Sequence, residues 1–199
     1  MTFTPEEIPA AWCRMWSQDA TLAHALLTGD ARQWSGVTDA LDPVAGPEAT
    51  EKFVTTYQRE VGNIFRPRTL VIDGNDSLAY TWDLTRRDGS VLTGADVCVL
   101  RDGLVAENWT VPSYDARSEL PDGPGQAESA TGERLDRQAL LALTADAHPW
   151  HRDRVVDVGR QTVAGTWGRP GRGGIAVLVV ASGRIDRQWV VPGTRALMY

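Results

Sequence analysis

The sequence predicts an α+β fold in which helices precede an antiparallel sheet, followed by a truncated repeat of that sheet. Three observations predict it. Apolar residues recur at helical spacing in the N-terminal third, and from Arg68 onward the period becomes two. The second half then repeats the sheet-forming part of the first. Phe65-Arg66-Pro67-Arg68-Thr69-Leu70-Val71 aligns without gaps on Trp150-His151-Arg152-Asp153-Arg154-Val155-Val156. In that register Gly74 meets Gly159, Ala79 meets Ala164 and Thr81-Trp82 meets Thr166-Trp167. After a hairpin five residues shorter in the second copy, Gly103 meets Gly183, Trp109 meets Trp189 and Pro112 meets Pro192. A one-residue slip would turn every side chain to the wrong face, so the agreement specifies one β-framework used twice.

Element by element, Thr4-Pro5-Glu6-Glu7 carries an N-cap, a proline at the first helical position and acidic residues in the first turn. The helix it opens places Ile8, Trp12, Met15 and Trp16 on one face, to about Asp19. A shorter helix is expected from Ala20 to Leu27, then an irregular stretch through Gln33-Trp34-Ser35-Gly36, where Trp34 is a lid or an anchor. Pro47 to about Asn63 forms a third helix, with Phe53, Tyr57 and Val61 on one face. Strands follow around Leu70, across 78–84, from Val91 to Leu100 and from Leu104 to Pro112, with turns at Asp73-Gly74, Asp88-Gly89 and Asp102-Gly103. Residues 1–113 are expected to form a complete unit. Residues 114–130, rich in Pro, Gly, Ser and acids, are expected to be a linker. Residues 131–199 form the truncated copy: a helix to about Ala147, then strands near 152–158, 161–168, 174–181 and 184–191.

Composition removes several classes of function. With 42% hydrophobic and 23% charged residues in 199, the chain has ordinary globular chemistry. A net charge of −6 with a single lysine, Lys52, argues against a phosphate-backbone binder, so no nucleic-acid partner is expected. No apolar run reaches membrane-span length and the first residues lack a basic leader, so a soluble, cytoplasmic protein without a membrane partner is expected. Cys13, Cys98 and the three histidines have no metal-ligand spacing, and no phosphate-cradling glycine loop is present. Neither a metal nor a cofactor is expected.

The order of elements, the Leu41-Asp42-Pro43-Val44 loop, Gly46-Pro47-Glu48-Ala49 opening the third helix and Asp102-Gly103-Leu104-Val105 turning into the last strand resemble the nuclear transport factor 2-like superfamily. Its relatives include ketosteroid isomerases, SnoaL-type polyketide cyclases and limonene epoxide hydrolases. The resemblance spans about residues 5–113 and, in reduced form, 131–193. It implies a cone-shaped fold, helices on a curved sheet around a ligand cavity. It also implies roles for two acids. In the isomerases an Asp-Pro-Val-Gly stretch supplies the general base, which falls here on Asp42. A second aspartate, kept protonated in an apolar site as an oxyanion donor, falls on Asp96. The chain departs from that pattern in its first helix, which offers Trp12, Cys13 and Trp16 where the isomerases carry a tyrosine donor.

Two carboxyls facing one apolar cavity divide their labour: the more desolvated one keeps its proton, and the more polar one stays ionised and accepts. Such a pair removes an α-proton and stabilises the resulting enolate without metal or cofactor. Strand alternation points Asp96 and Cys98 inward, together with Leu78, Tyr80, Trp82 and Leu84 of the preceding strand. Trp12, Trp16, Phe53 and Tyr57 close the cavity from the helices, and Asn108 adds a polar contact. The expected partner is a hydrophobic, polycyclic or polyketide-like small molecule in a natural-product pathway, and the expected activity that of a cofactor-independent cyclase or isomerase. Other readings stay open. Asp42 before a proline also suits a turn, Asp96 also suits a structural hydrogen bond, and the aromatics also suit a core. The protein is alternatively a non-catalytic binder, or an epoxide hydrolase with an arginine between acids, a set the sequence does not display.

The opposite face of the sheet carries Ala79, Thr81, Val97, Val99, Trp109 and Val111, with repeat counterparts Ala164, Thr166, Val177, Val179, Trp189 and Val191. These faces are expected to pack within one chain as an internal pseudo-dimer, giving a monomer, or else to serve a homodimer.

Overall fold

A computed structural model describes residues 3–113 and 134–197, so the expected linker lies outside the described residues. Helix α1 (Ile8–Ser17) is followed by a 3₁₀ turn (Ala20–Leu22), a single helical turn α2 (Ala23–Leu26), strand β1 (Leu27–Ser35) and helix α3 (Gly46–Glu60). Strands β2 (Ile64–Asp73), β3 (Ser77–Thr85), β4 (Val91–Arg101) and β5 (Leu104–Ser113) complete a five-stranded sheet in the order β1-β5-β4-β3-β2. A short helix α4 (Arg137–Leu143) precedes β6 (Val155–Asp157), β7 (Thr162–Arg169), β8 (Arg172–Ala181) and β9 (Arg184–Pro192), which form a separate four-stranded sheet. The class is α+β, as expected.

One element overturns the expectation. Residues 27–35 are not a helix end and an irregular loop; they form β1, which runs parallel to β5 and makes the first sheet mixed rather than antiparallel. Its alternation is hidden because buried positions are polar. Gln33 lies inside and donates from Nε2 to Thr50 Oγ1 over 2.9 Å, and Ser35 is buried beside it. Trp34 is wholly buried in this strand, which makes it an anchor rather than a lid. At the start of α3, Gly46 has φ +71° and lies so near the β1 backbone that a Cβ would sit 2.5 Å from the Gly29 carbonyl oxygen, which only glycine permits.

Elsewhere the strands obey the period of two. Leu78, Tyr80, Trp82, Leu84, Cys98 and Leu100 pack toward α1 in one apolar cluster. Ala79, Val97, Trp109 and Val111 point the other way, into a cluster shared with Val155, Ala164, Ile175, Val177 and Val191 of the second sheet. Val99 and Trp189 pack at its edge, half-buried. Burying this much aliphatic and aromatic surface stabilises each sheet against the other by about 25 cal/mol per Å².

The two sheets share a pairing register. Ala79 pairs with Val97 and Val97 with Trp109; Ala164 pairs with Val177 and Val177 with Trp189. Each last hairpin has a bulge at the same place, after Val99 and after Val179, and each turns on two residues of positive φ, Asp102-Gly103 and Ser182-Gly183. The gapless alignment is one residue out at the first strand, however. Val71 opposes Ala79, whereas Val155, not Val156, opposes Ala164. The turn that follows is one residue longer in the second sheet, and Gly159 lacks the positive φ of Gly74.

Candidate active site

A cavity of about 330 Å³ lies between the first sheet and helices α1 and α3. Trp12 and Trp16 from α1, Phe53 and Tyr57 from α3, Phe65 from β2 and Trp82 from β3 form its walls. Their rings lock one another edge to face: Trp16 meets Tyr57 at 5.3 Å and Phe53 at 6.0 Å, and Phe65 meets Trp82 at 5.3 Å. Flat π surfaces fixed in this way suit a ring-bearing ligand.

Asp96 occupies the inner end and is 2% exposed. Register explains its surroundings. Tyr80 on β3 and Thr110 on β5 stand directly opposite Asp96, while Trp82 and Asn108 lie two residues away on the same faces. All four reach it. The Tyr80 hydroxyl donates to Oδ2 over 2.8 Å, Trp82 Nε1 to Oδ1 over 2.7 Å and Asn108 Nδ2 to Oδ2 over 3.0 Å, and the Thr110 side chain adds a fourth bond. Burial pushes the Asp96 carboxyl above its ordinary value, against the opposing pull of the Thr110, Trp82, Asn108 and Tyr80 hydrogen bonds. Burial, and then the charge of Asp96, raises the Tyr80 hydroxyl well above the usual phenol range, so it remains a donor. The arrangement holds a carboxylate in place and makes it more basic than one in water. The resemblance implied a protonated donor at this position; burial shifts Asp96 in that direction, while its oxygens accept from two groups, the Trp82 indole and the Asn108 amide N–H, that only donate.

Asp42 does not join Asp96. Turns from Asp39 to Asp42 and from Leu41 to Val44 bring Ala40 and Leu41 to the cavity wall and turn Asp42 away from it. Its carboxylate instead takes both nitrogens of Arg195, Nη2 to Oδ2 at 2.5 Å and Nη1 to Oδ1 at 3.2 Å, with both side chains about four-fifths buried. The expectation of two acids in one cavity is therefore corrected. A partner 153 residues away takes up the second carboxyl. Cys98 is likewise not a lining residue: it lies wholly buried behind Asn108, whose Nδ2 reaches its Sγ at 3.4 Å. Desolvation raises its thiol and that of Cys13.

Trp12, Trp16, Phe53, Tyr57, Tyr80, Trp82, Asp96 and Asn108 line the cavity as the sequence suggested. Sequence reasoning missed Ser35, Thr38, Asn63, Phe65, Arg86 and Thr110. Thr110 was findable, since it lies two residues from Asn108 and alternation puts both on one face. Arg86, the one lining arginine among the described residues, is exposed and forms no acid–arginine–acid set. Among the described residues no group of His, Cys, Asp and Glu has the makings of a metal site, and no helix is long and apolar enough to cross a membrane.

No family model matches the sequence, and no curated protein matches it. Among solved structures, the chain is similar to a candidate SnoaL-like isomerase from Agrobacterium tumefaciens (18% identity, 54% of this chain and 96% of that one, TM-score 0.47). It is similar also to a candidate polyketide cyclase from Acidithiobacillus ferrooxidans (16%, 55% and 88%, TM-score 0.48) and a candidate ketosteroid isomerase from Kribbella flavida (24%, 69% and 98%, TM-score 0.46). At such identities they carry no statement about this chain's reaction.

Proposed function

We propose that the cavity binds a hydrophobic, ring-bearing metabolite of polycyclic or polyketide type, and that Asp96 moves a proton on it. The protein would then be a cofactor-independent cyclase or isomerase. One observation carries this reading: a carboxylate at the inner end of an aromatic cavity, fixed by four side chains and without an ion pair among the described residues. Desolvation makes it a better base, and the hydrogen bonds hold it still. Asp96 takes a proton from the carbon next to a ligand carbonyl. The electron pair either returns at a second carbon, which recovers the proton (isomerisation), or attacks a carbonyl of the same molecule, whose oxygen takes the proton (ring closure). Asp42 has no part in this chemistry, because Arg195 occupies its carboxylate.

Solvent exchange tests this without knowledge of the substrate. The full chain is incubated in D₂O with a panel of polycyclic ketones and 1,3-diketones, and deuterium at the α-carbon is followed by NMR. Exchange by the wild type that is lost in Asp96→Asn supports the base. A second reading, a non-catalytic binder, draws on the same hydrogen bonds, since four donors leave the carboxylate oxygens little spare capacity. Binding of these ketones with no exchange would favour it.

We also read the second sheet as a truncated duplicate of the first that has lost its chemistry, the two forming an internal pseudo-dimer. The matched registers, bulges and turns support this, as does the replacement of Asp96 by Ala176 and of Tyr80 by Gly165 at equivalent positions. Trp167, the counterpart of Trp82, keeps its place while its buried Nε1 has no partner among the described residues.

A further inference from the structure

We propose that Arg195, from the segment after β9, is a positioning residue of the cavity: it holds the loop over 36–42 in the shape that forms one wall, and so sets ligand affinity without touching the ligand. The inference rests on the cavity being a ligand site. That loop supplies Val37, Thr38, Ala40 and Leu41 to the wall and has no helix or strand of its own. A wall of irregular backbone keeps its shape only if its polar groups are held elsewhere.

Its own turns and Thr110 of β5 take some of them, and the segment after β9 takes the Ser35, Gly36 and Thr38 carbonyls and the Asp42 carboxylate. Arg195 Nη1 donates to the Ser35 carbonyl at 2.9 Å and to the Thr38 carbonyl, and the guanidinium grips Asp42 through both nitrogens. The backbone nitrogens of Thr194 and Arg195 donate to the Gly36 carbonyl at 2.7 and 3.1 Å. One side chain therefore ties the beginning, the middle and the end of the wall. The planar fork of arginine reaches these acceptors together, and a lysine ammonium does not. The guanidinium also lies 5.9 Å from the Trp34 ring, which is fixed in β1. Two glycines let the chains come this close. A Cβ on Gly193 would sit 2.7 Å from the Gly36 oxygen, and one on Gly36 would sit 2.9 Å from the Val111 side chain.

The test measures binding of 2-naphthol, a fluorescent aromatic alcohol, to the full chain and to Arg195→Ala, Arg195→Lys, Asp42→Asn and the control Arg187→Ala. Hydrogen exchange is followed over 36–42 in parallel. The expected results are a Kd at least 10-fold weaker in Arg195→Ala, little recovery in Arg195→Lys, an intermediate loss in Asp42→Asn and none in Arg187→Ala. Exchange over 36–42 should quicken at least 10-fold in Arg195→Ala while β3 and β4 stay protected. A purely structural role would not separate the loop from the strands in this way. Binding within twofold of wild type in Arg195→Ala, or unchanged exchange in the loop, overturns the proposal. Should Arg195→Ala fail to fold, Asp42→Asn decides by the same two readouts. Should the wild type bind no 2-naphthol, the cavity reading fails, and loop exchange alone decides whether the clamp stands.

Discussion

Tyr80 and Asp96 stand opposite each other on β3 and β4, and the phenol donates to the carboxylate over 2.8 Å, both residues almost wholly buried. That pair separates the electrostatic role of Asp96 from its structural one. Asp96→Asn keeps the size, removes the charge and exchanges one acceptor oxygen for an NH2, so α-proton exchange should fall by about 100-fold or more, as expected for loss of a general base, with the circular dichroism spectrum showing the chain still folded. Asp96→Leu instead leaves the Trp82 and Asn108 donors orphaned, and urea titration should show a loss of about 1–3 kcal/mol for each.

The pH dependence has a definite sign. The folded Asp96 carboxyl is raised, chiefly by burial, above the value of about 3.9 it has in an unfolded chain. Its contribution to stability is therefore whole below about pH 4 and is lost as pH climbs through the raised folded value. Urea midpoints of the wild type, taken relative to Asp96→Asn, should fall over that window. Proton-exchange activity should rise over the same window as the base ionises. A wild-type-minus-variant difference that does not change with pH would contradict both statements.

Two glycines give a matched contrast. A Cβ on Gly94 would lie 2.2 Å from the Trp82 ring, and one on Gly174 would lie 2.6 Å from the Trp167 ring and 2.5 Å from the Val191 carbonyl oxygen. Both alanine variants should lose about 1–3 kcal/mol by overpacking. Only Gly94→Ala displaces an indole that bonds Asp96, so it alone should also weaken 2-naphthol binding and slow exchange.

The shared apolar cluster predicts a third class of effect. Trp109 is 1% exposed between the two sheets, with Arg152 over its ring at 4.9 Å. Trp109→Ala should cost about 3–5 kcal/mol. Val177→Asp should unfold the chain at moderate temperature, since it buries a charge in the same apolar cluster. Calorimetry reads both.

The thiols should be silent. Cys13 and Cys98 are free and buried, and desolvation raises both. The native protein should resist iodoacetamide at neutral pH, whereas the urea-unfolded chain should take up two equivalents.

What could be read from the sequence followed the strength of each local signal. Strands β3, β4 and β5 alternate cleanly, so the cavity face and the buried face were both legible, and Asp96 stood out as a lone acid in an apolar run. Strand β1 was illegible because its inward positions include Gln33 and Ser35, whose burial depends on partners such as Thr50 in another element. Asp42 looked like a cavity acid because nothing near it in sequence shows the Arg195 fork. Cys98 shared the right face but lies one layer too deep, behind Asn108. The sequence match places β6 one residue out because Gly74 and Gly159 coincide across the turn that follows it, a turn one residue longer in the second sheet.

The face-to-face packing of the two sheets has a consequence for how the molecule behaves in dilute solution. Separate subunits joined through such a surface would come apart as their concentration fell, with a midpoint set by their dissociation constant. Here both layers are segments of a single polypeptide, so their association is unimolecular and dilution leaves it intact. The equipped layer carries the acid and the plain layer only backs it. Saturation with ligand should accordingly stop at one molecule per chain, at nanomolar protein as at millimolar.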